Sequence, residues 1–255
     1  MTVCTDSWVM VRRCLRRTVR SRDTLLISVL LPVLIMLLFV YVFGGAIEVD
    51  MPYIAYVVPG IVLLCTGFGA SITATTVAQD VRGGAIDRFR TLPAFRQALL
   101  AGHVGEGVVR NLGVIGVLFL VALMLGFRPR AGFFAWLAVF GMVVLLVHAV
   151  TWIAVALGLL ARNPEAAGGF TYAIMFIPYI SSAFVPVATM PGWLRGFAEH
   201  QPATPVIGVV RGLLTGTPVG SAGLFAVLWC VALAALGFAC AARLFERASK
   251  DSGTR

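Results

Sequence analysis

Charge is what this sequence has least of. Only 12% of its 255 residues are Asp, Glu, Lys or Arg, and 60% are hydrophobic. Soluble domains carry roughly a quarter charged residues, so a soluble enzyme or binding module is excluded. Disorder is excluded as well, because disordered chains pair low hydrophobicity with high charge. Lysine is almost missing: Lys250 is the single one among 20 basic residues. A G-x-x-x-x-G-K-[ST] phosphate loop therefore does not occur, and this chain is no ATPase of that class. HExxH, GxSxG and paired-acid motifs are also absent, which leaves no catalytic constellation to build on. The five cysteines, Cys4, Cys14, Cys65, Cys230 and Cys240, show no CxxC spacing. They read as reduced thiols, with neither a disulfide nor a metal site indicated.

What remains is long apolar sequence, with a mean hydropathy of +0.95. A helix crossing a bilayer needs roughly 20 apolar residues. Six stretches qualify: 24–43, 53–78, 107–127, 133–160, 170–189 and 222–242. They run apolar without period-two alternation, so helices are expected and not a barrel. Only the third holds a charge, Arg110, one turn inside its start, where it is expected to snorkel to the interface. With the N-terminus inside, the inner segments and Arg110 carry 16 basic residues and the outer segments four. That bias puts both termini in the cytoplasm. It also accounts for the net charge of +9 without nucleic acid as a partner. The organisation is a cytoplasmic segment 1–23, one six-span domain 24–245 and a cytoplasmic tail 246–255.

The first segment is too rich in arginine, and its apolar run too long, for a cleaved signal. As a helix over 7–22 it lines up Trp8, Val11, Leu15 and Val19 on one stripe and crowds Arg12, Arg13, Arg16, Arg17 and Arg20 opposite. That is the pattern of an interfacial helix on an anionic leaflet, or else plain topogenic charge. His103, His148 and His200 fall inside, mid-membrane and outside, so they cannot share a metal. His148 is expected to bond a neighbour, Thr151 being three residues on.

The inner loop after the second span has more character. Gly83-Gly84 ends a helix, and 85–92 forms a short one that Pro93 stops. Ile86, Phe89 and Arg90 share a side of it. Docking onto a protein and resting on lipid headgroups both suit that face. The last outer segment starts at Met190-Pro191-Gly192-Trp193-Leu194 and leads to an apolar run, 206–214, too short to span. It is an interfacial or re-entrant helix, a gate or a simple surface element. The fifth span is interrupted by Pro178 and Pro186 around Ser181-Ser182, which permits a kink. Gly212 and Gly216 make a single GxxxG, too common a spacing in so glycine-rich a chain to carry weight.

Three stretches match a known pattern. They are Asp80 to Gly102 with its Asp87-Arg88-Phe89-Arg90 and Leu92-Pro93, then Arg110-Asn111 with Gly126-Phe127-Arg128-Pro129, and Ser181-Ser182 through Trp193-Leu194 to Glu199 and Pro202. Asn163-Pro164-Glu165-Ala166 also fits. On these the chain resembles the membrane subunits of type-2 ATP-binding-cassette exporters, most closely the daunorubicin/doxorubicin-resistance permeases. The resemblance covers about residues 8–245. It implies that 85–92 is a coupling helix docking on a separate ATPase through Arg82, Asp87, Arg88, Phe89, Arg90 and Leu92. It implies that the N-terminal helix touches that ATPase too, and that 192–214 forms outer re-entrant helices with Trp193, Glu199 and Arg211 as gate. Two ATPase copies, with ATP and Mg bound there and no cofactor or metal on this chain, would serve two permease chains, expected as a homodimer. The first, second and fifth spans would form the chain-to-chain interface, with Phe39, Phe43, Phe68, Phe176, Tyr179 and Phe184 along the path of a lipophilic substrate. Such a protein sits in the plasma membrane and exports a drug- or polyketide-like amphiphile. Alternatives are a lipid or glycolipid exporter to the envelope, which uses the same fold, a non-transporting scaffold or sensor, and, least, a membrane enzyme. The direction of transport rests on the resemblance alone.

Overall fold

The computed structural model of the chain describes residues 3–83 and 98–251, with side chains over 8–83 and 99–247. The described elements are helical. In chain order they are α1 (Val3–Arg20), α2 (Arg22–Leu37), α3 (Tyr53–Arg82), α4 (Ala98–Met124), α5 (Phe133–Leu160), α6 (Pro164–Phe176), α7 (Gly192–His200), α8 (Ala203–Thr215) and α9 (Ala222–Asp251). A π-helical segment, Leu38–Phe43, prolongs α2, and 3₁₀ turns at Ile177–Ile180 and Val187–Thr189 follow α6.

Five helices are long and apolar enough to cross a membrane: α2 with its π extension, α3, α4, α5 and α9. Three of them match the expected stretches within four residues, and α9 runs nine residues past its own, to Asp251. The third differs at its start, because α4 begins at Ala98 and runs 27 residues, about 40 Å at 1.5 Å per residue. The fifth stretch also differs. It begins early, at Pro164, where the Asn163 side chain accepts from Ala166 N–H at 2.7 Å and proline fits the first turn. After 13 residues the α-helix stops, since Pro178 and Pro186 withhold the N–H groups that would continue it. Ser181 mends part of the break: its hydroxyl donates to the Pro178 carbonyl and accepts from Ala183 N–H at 3.1 Å.

α3 is the axis of the bundle and is buried along most of its length. α2, α4, α5, α6 and α8 pack around it, and α9 lies chiefly along α5. Lipid tails are as apolar as leucine, so close backbone approach decides such packing. Two glycines show how tight it is. A Cβ on Gly60 would sit 2.6 Å from Ala183 Cβ, and one on Gly237 would sit 2.8 Å from Ile153 N. Gly212 and Gly216, the GxxxG pair, serve a helix end: Gly216 takes φ +77° and its N–H bonds the Gly212 carbonyl, a left-handed cap. α2 buries Ser28, Pro32 and Met36 but exposes Leu26, Ile27, Leu30 and Leu34. An apolar face of that length needs lipid or another chain against it.

The N-terminal helix is not simply laid on a surface. Met10 and Val11 press on α4 at Gly102 and Gly105, where an added Cβ would come within 2.7 and 2.5 Å of them. Val11 and Leu15 are half-buried against the bundle, whereas Trp8 and Val19 are 66% and 67% exposed.

Candidate functional site

The first constellation lies where α6 breaks. The π-helical turn sets Phe39 and Phe43, four residues apart, with ring centroids 5.3 Å from each other. Phe39 stacks on Phe184 at 4.1 Å, Phe184 on Tyr179 at 5.2 Å, and Tyr179 meets Phe176 at 6.1 Å. Offset aromatic contacts of this kind fall in the favourable range. Five of the six residues expected along a path thus form one ladder, running from the π-helical end of α2 to the segment where α6 breaks. Phe184 is buried, while Phe43, Tyr179 and Phe176 are exposed. Phe68 is not part of it; it packs half-buried in the core around α3.

The carbonyls freed by the break are taken by side chains from neighbouring helices. Tyr53 Oη donates to the Phe184 carbonyl at 3.1 Å. Gln201, buried, donates to the Ile180 carbonyl at 2.8 Å. Arg211 reaches in from α8, donating to the Tyr56 carbonyl at 3.0 Å and to the Ser182 carbonyl, with its guanidinium 3.7 Å over the Tyr56 ring. Non-helical backbone at this depth is tolerable when buried in protein this way. Of the three residues expected to form a gate only Arg211 does this. Trp193 is 81% exposed on α7, and Glu199 pairs with Arg195 at 2.8 Å on the same exposed helix.

The second constellation ties α1, α3 and α4 together. Arg17 of α1 donates to Asp80 at 2.6 Å and to Gln79 at 3.2 Å, near the end of α3. His103, only 2% exposed on α4, brings Nε2 to 3.3 Å from the same Asp80 carboxylate. One and two turns deeper, Thr18 donates to Glu106 at 2.9 Å and Arg110 donates to it at 2.8 Å. Arg110 also donates to Thr73 at 2.9 Å and to the Gly69 carbonyl at 3.1 Å. It does not snorkel: α4 starts nine residues before the expected edge, so Arg110 is 5% exposed inside the bundle. The i,i+4 spacing of Glu106 and Arg110 was the signal available for this pair. Nothing in the sequence linked them to Thr18, Arg17 or Asp80. Burial pushes the Cys14 thiol, on the inner side of α1, up to about 11.

Arg82 is exposed at the last turn of α3, two residues past Asp80. Asp87, Arg88, Phe89, Arg90 and Leu92, with the short helix 85–92, lie outside the described residues. His148 is bonded, though not to Thr151, which turns back to the Val147 carbonyl at 2.6 Å. It accepts from Trp152 Nε1 at 3.0 Å, one helical turn on, so Nδ1 carries its proton. Among the described residues no three of His, Cys, Asp and Glu gather as a metal site.

The model of the ABC-2 type transporter family matches residues 5–215. The chain belongs to that family. Over 210 residues this ABC-2 permease is 32% identical to a daunorubicin resistance ABC transporter permease protein of Streptomyces coeruleorubidus, covering 78% of this chain and 74% of that one. It is 27% identical over 219 residues to a "probable doxorubicin resistance ABC transporter permease protein" of Mycobacterium tuberculosis, covering 85% of this chain and 79% of the relative. The match contains both constellations, α1 through α8. An ABC-2 permease works with an ATP-binding-cassette partner, and the residues immediately after Arg82 are where the resemblance expected contact with it.

Proposed function

We propose that this ABC-2 permease is the membrane subunit of an ATP-driven exporter moving a hydrophobic or amphiphilic drug-like molecule out of the cell. The aromatic ladder from Phe43 to Phe176 carries this reading. Its outer rings, Phe43, Tyr179 and Phe176, are exposed while Phe184 is buried, and stacked rings give a flat lipophile area and shape. In this reading α6 and its 3₁₀ continuation make a sixth passage, α7 and α8 are the outer re-entrant pair, and both termini are cytoplasmic at the plasma membrane. Residues 1–23 are the interfacial helix, 24–245 the membrane domain and 246–255 the tail. Two copies of the chain meet along α2 and α6, in front of the buried α3, and two ATPase subunits bind ATP and Mg and press on 85–92.

The work of the chain is then differential stability of two packings. ATP-driven closure of the partner moves 85–92, and α3 carries that displacement from Asp80 to Tyr53. Arg211 and Gln201 hold the α6 break to α8 while the interface opens outward. The test is co-reconstitution with its ATPase in liposomes, following a fluorescent anthracycline. ATP-dependent movement is expected, reduced severalfold by Phe39→Ala or Tyr179→Ala. Movement of a labelled phospholipid with no effect on the anthracycline would replace the drug reading with the lipid one. ATP hydrolysis with neither cargo moved would defeat both.

A further inference from the structure

One face of α1 has no part in the export reading. Arg13, Arg16, Arg17 and Arg20 stand at i, i+3, i+4 and i+7, all exposed, and the four guanidinium groups line a recess of their own. Beside it a second cavity of about 160 Å³, with polar side chains set in its wall, opens between α1, the start of α2, α3 and α4. Arg13 and Arg17 border both. The cavity walls offer the hydroxyls of Ser21, Thr24 and Thr76 and the amide of Gln79, and its floor is Asp80, His103 and Glu106. Exposed Trp8 and Val19 border the arginine face, eleven residues apart on one stripe. That is where an amphipathic helix meets acyl chains.

We propose that this face and cavity form a seat for the headgroup of an anionic, hydroxyl-bearing phospholipid of the phosphatidylglycerol type. The charges dictate the pose. Asp80 and Glu106 repel a phosphate from the cavity, so the phosphodiester stays at the mouth among the arginines. Arg17, fixed by Asp80 at 2.6 Å, is held ready there. The hydroxyls point inward, where carboxylate and hydroxyl oxygens accept them. The cavity is in the size class of the ~150 Å³ void that admits a six-membered ring, which suits the six heavy atoms of glycerol. A headgroup in this seat bridges α1 to α3 and α4, so lipid composition would set how firmly α1 is tied to the segment leading into 85–92.

The inference rests on α1 being interfacial, and the test needs no ATP, ATPase or cargo, so failure of the export reading leaves it standing. The chain in neutral-detergent micelles is titrated with phosphatidylglycerol, phosphatidic acid and phosphatidylcholine, with bound lipid read by native mass spectrometry. Glycerol 3-phosphate and inorganic phosphate are added as soluble competitors. Phosphatidylglycerol should bind tightest. Arg16→Ala/Arg20→Ala should weaken it about thirtyfold, at about fivefold per arginine near a charged surface. Thr24→Phe, which fills the cavity and leaves the arginines, should keep anionic binding and remove the preference for phosphatidylglycerol over phosphatidic acid. Equal binding of phosphatidylglycerol and phosphatidylcholine, or an unchanged Arg16→Ala/Arg20→Ala variant, would overturn the seat. Competition by glycerol 3-phosphate at the lipid's own concentration would overturn it in favour of a soluble anion. Thr24→Phe with its lipid preference intact would refute the cavity's role.

Discussion

The pair Glu106–Arg110 can be taken apart in a way that separates burial from attraction. Both side chains are almost fully enclosed, at 7% and 1% exposure, and their contact is 2.8 Å. Removing one member of a buried pair strands the other, at about 3–5 kcal/mol. The two single variants should differ within that range. In Glu106→Ala the guanidinium keeps Thr73 and the Gly69 carbonyl, so about 3 kcal/mol is expected, near the low end. In Arg110→Ala the carboxylate keeps only the Thr18 hydroxyl among the bonds described for it, which argues for about 5 kcal/mol, the high end. The double variant Glu106→Leu/Arg110→Met removes both charges at similar volume and should come within about 1 kcal/mol of the parent or exceed it. The assay is reversible unfolding from mild-detergent micelles by titrated dodecyl sulfate, followed by far-UV circular dichroism. The parent, both singles and the double are compared in one titration series. If both singles cost under about 1 kcal/mol, the pair is wet or open and the burial argument fails. A double variant as unstable as Arg110→Ala would mean that shape at this site, not charge, holds α4 to α3.

The packing of α1 is testable at Gly102, where a Cβ would lie 2.7 Å from Met10 Cβ and 3.1 Å from its backbone. In a variant with Cys14 as its only cysteine, Gly102→Leu should release the helix and let a thiol held near 11 return toward its ordinary 9.0, raising alkylation at pH 8 by up to about 100-fold. In the parent, alkylation should climb about tenfold per pH unit toward that value, since only the thiolate reacts; a rate levelling off by pH 9 would contradict the burial of Cys14. Arg211→Ala should cost about 3 kcal/mol by leaving two carbonyls without their charged donor. Arg211→Lys should recover less than half, because an ammonium lacks the planar fork; full recovery would reduce Arg211 to a point charge. Phe89→Ala or Arg88→Glu should abolish transport with insertion and expression intact, and normal efflux from both would remove the docking assignment of 85–92. An impermeant thiol probe applied to intact cells should label a cysteine at Asp50 and not one at Arg96; the reverse pattern inverts the orientation.

Much of the architecture was legible because bilayer thickness acts on composition directly. Each apolar run of span length became a helix except 170–189, and there the prolines that permit a kink ended the helix outright. The aromatic ladder was legible in part. Phe39 and Phe43 lie one turn apart, so a shared face follows from local geometry. The stacking of Phe39 on Phe184, 145 residues away in sequence, depends on how the end of α2 meets the α6 break. Trp193, Glu199 and Arg211 lie close together in sequence, yet a helix break at Gln201 turns α8 inward and leaves α7 exposed. The polar junction went unseen because its members, Arg17, Thr18, Asp80, His103, Glu106 and Arg110, look like scattered inner-segment charges until three helices bring them within hydrogen-bond reach.

The sequence by itself determined that this chain lives in a membrane, where most of its long helices run and which family it belongs to. Those properties depend on hydropathy and motif order, which are local and additive. Only the tertiary structure decided that Arg110 is buried and paired, that Arg211 closes the α6 break, and that α1 is clasped to α4 through Gly102 and Gly105. Each of these depends on a partner distant in the chain. In a medium that offers no water to an unpaired polar group, the choice of partner settles what that group does.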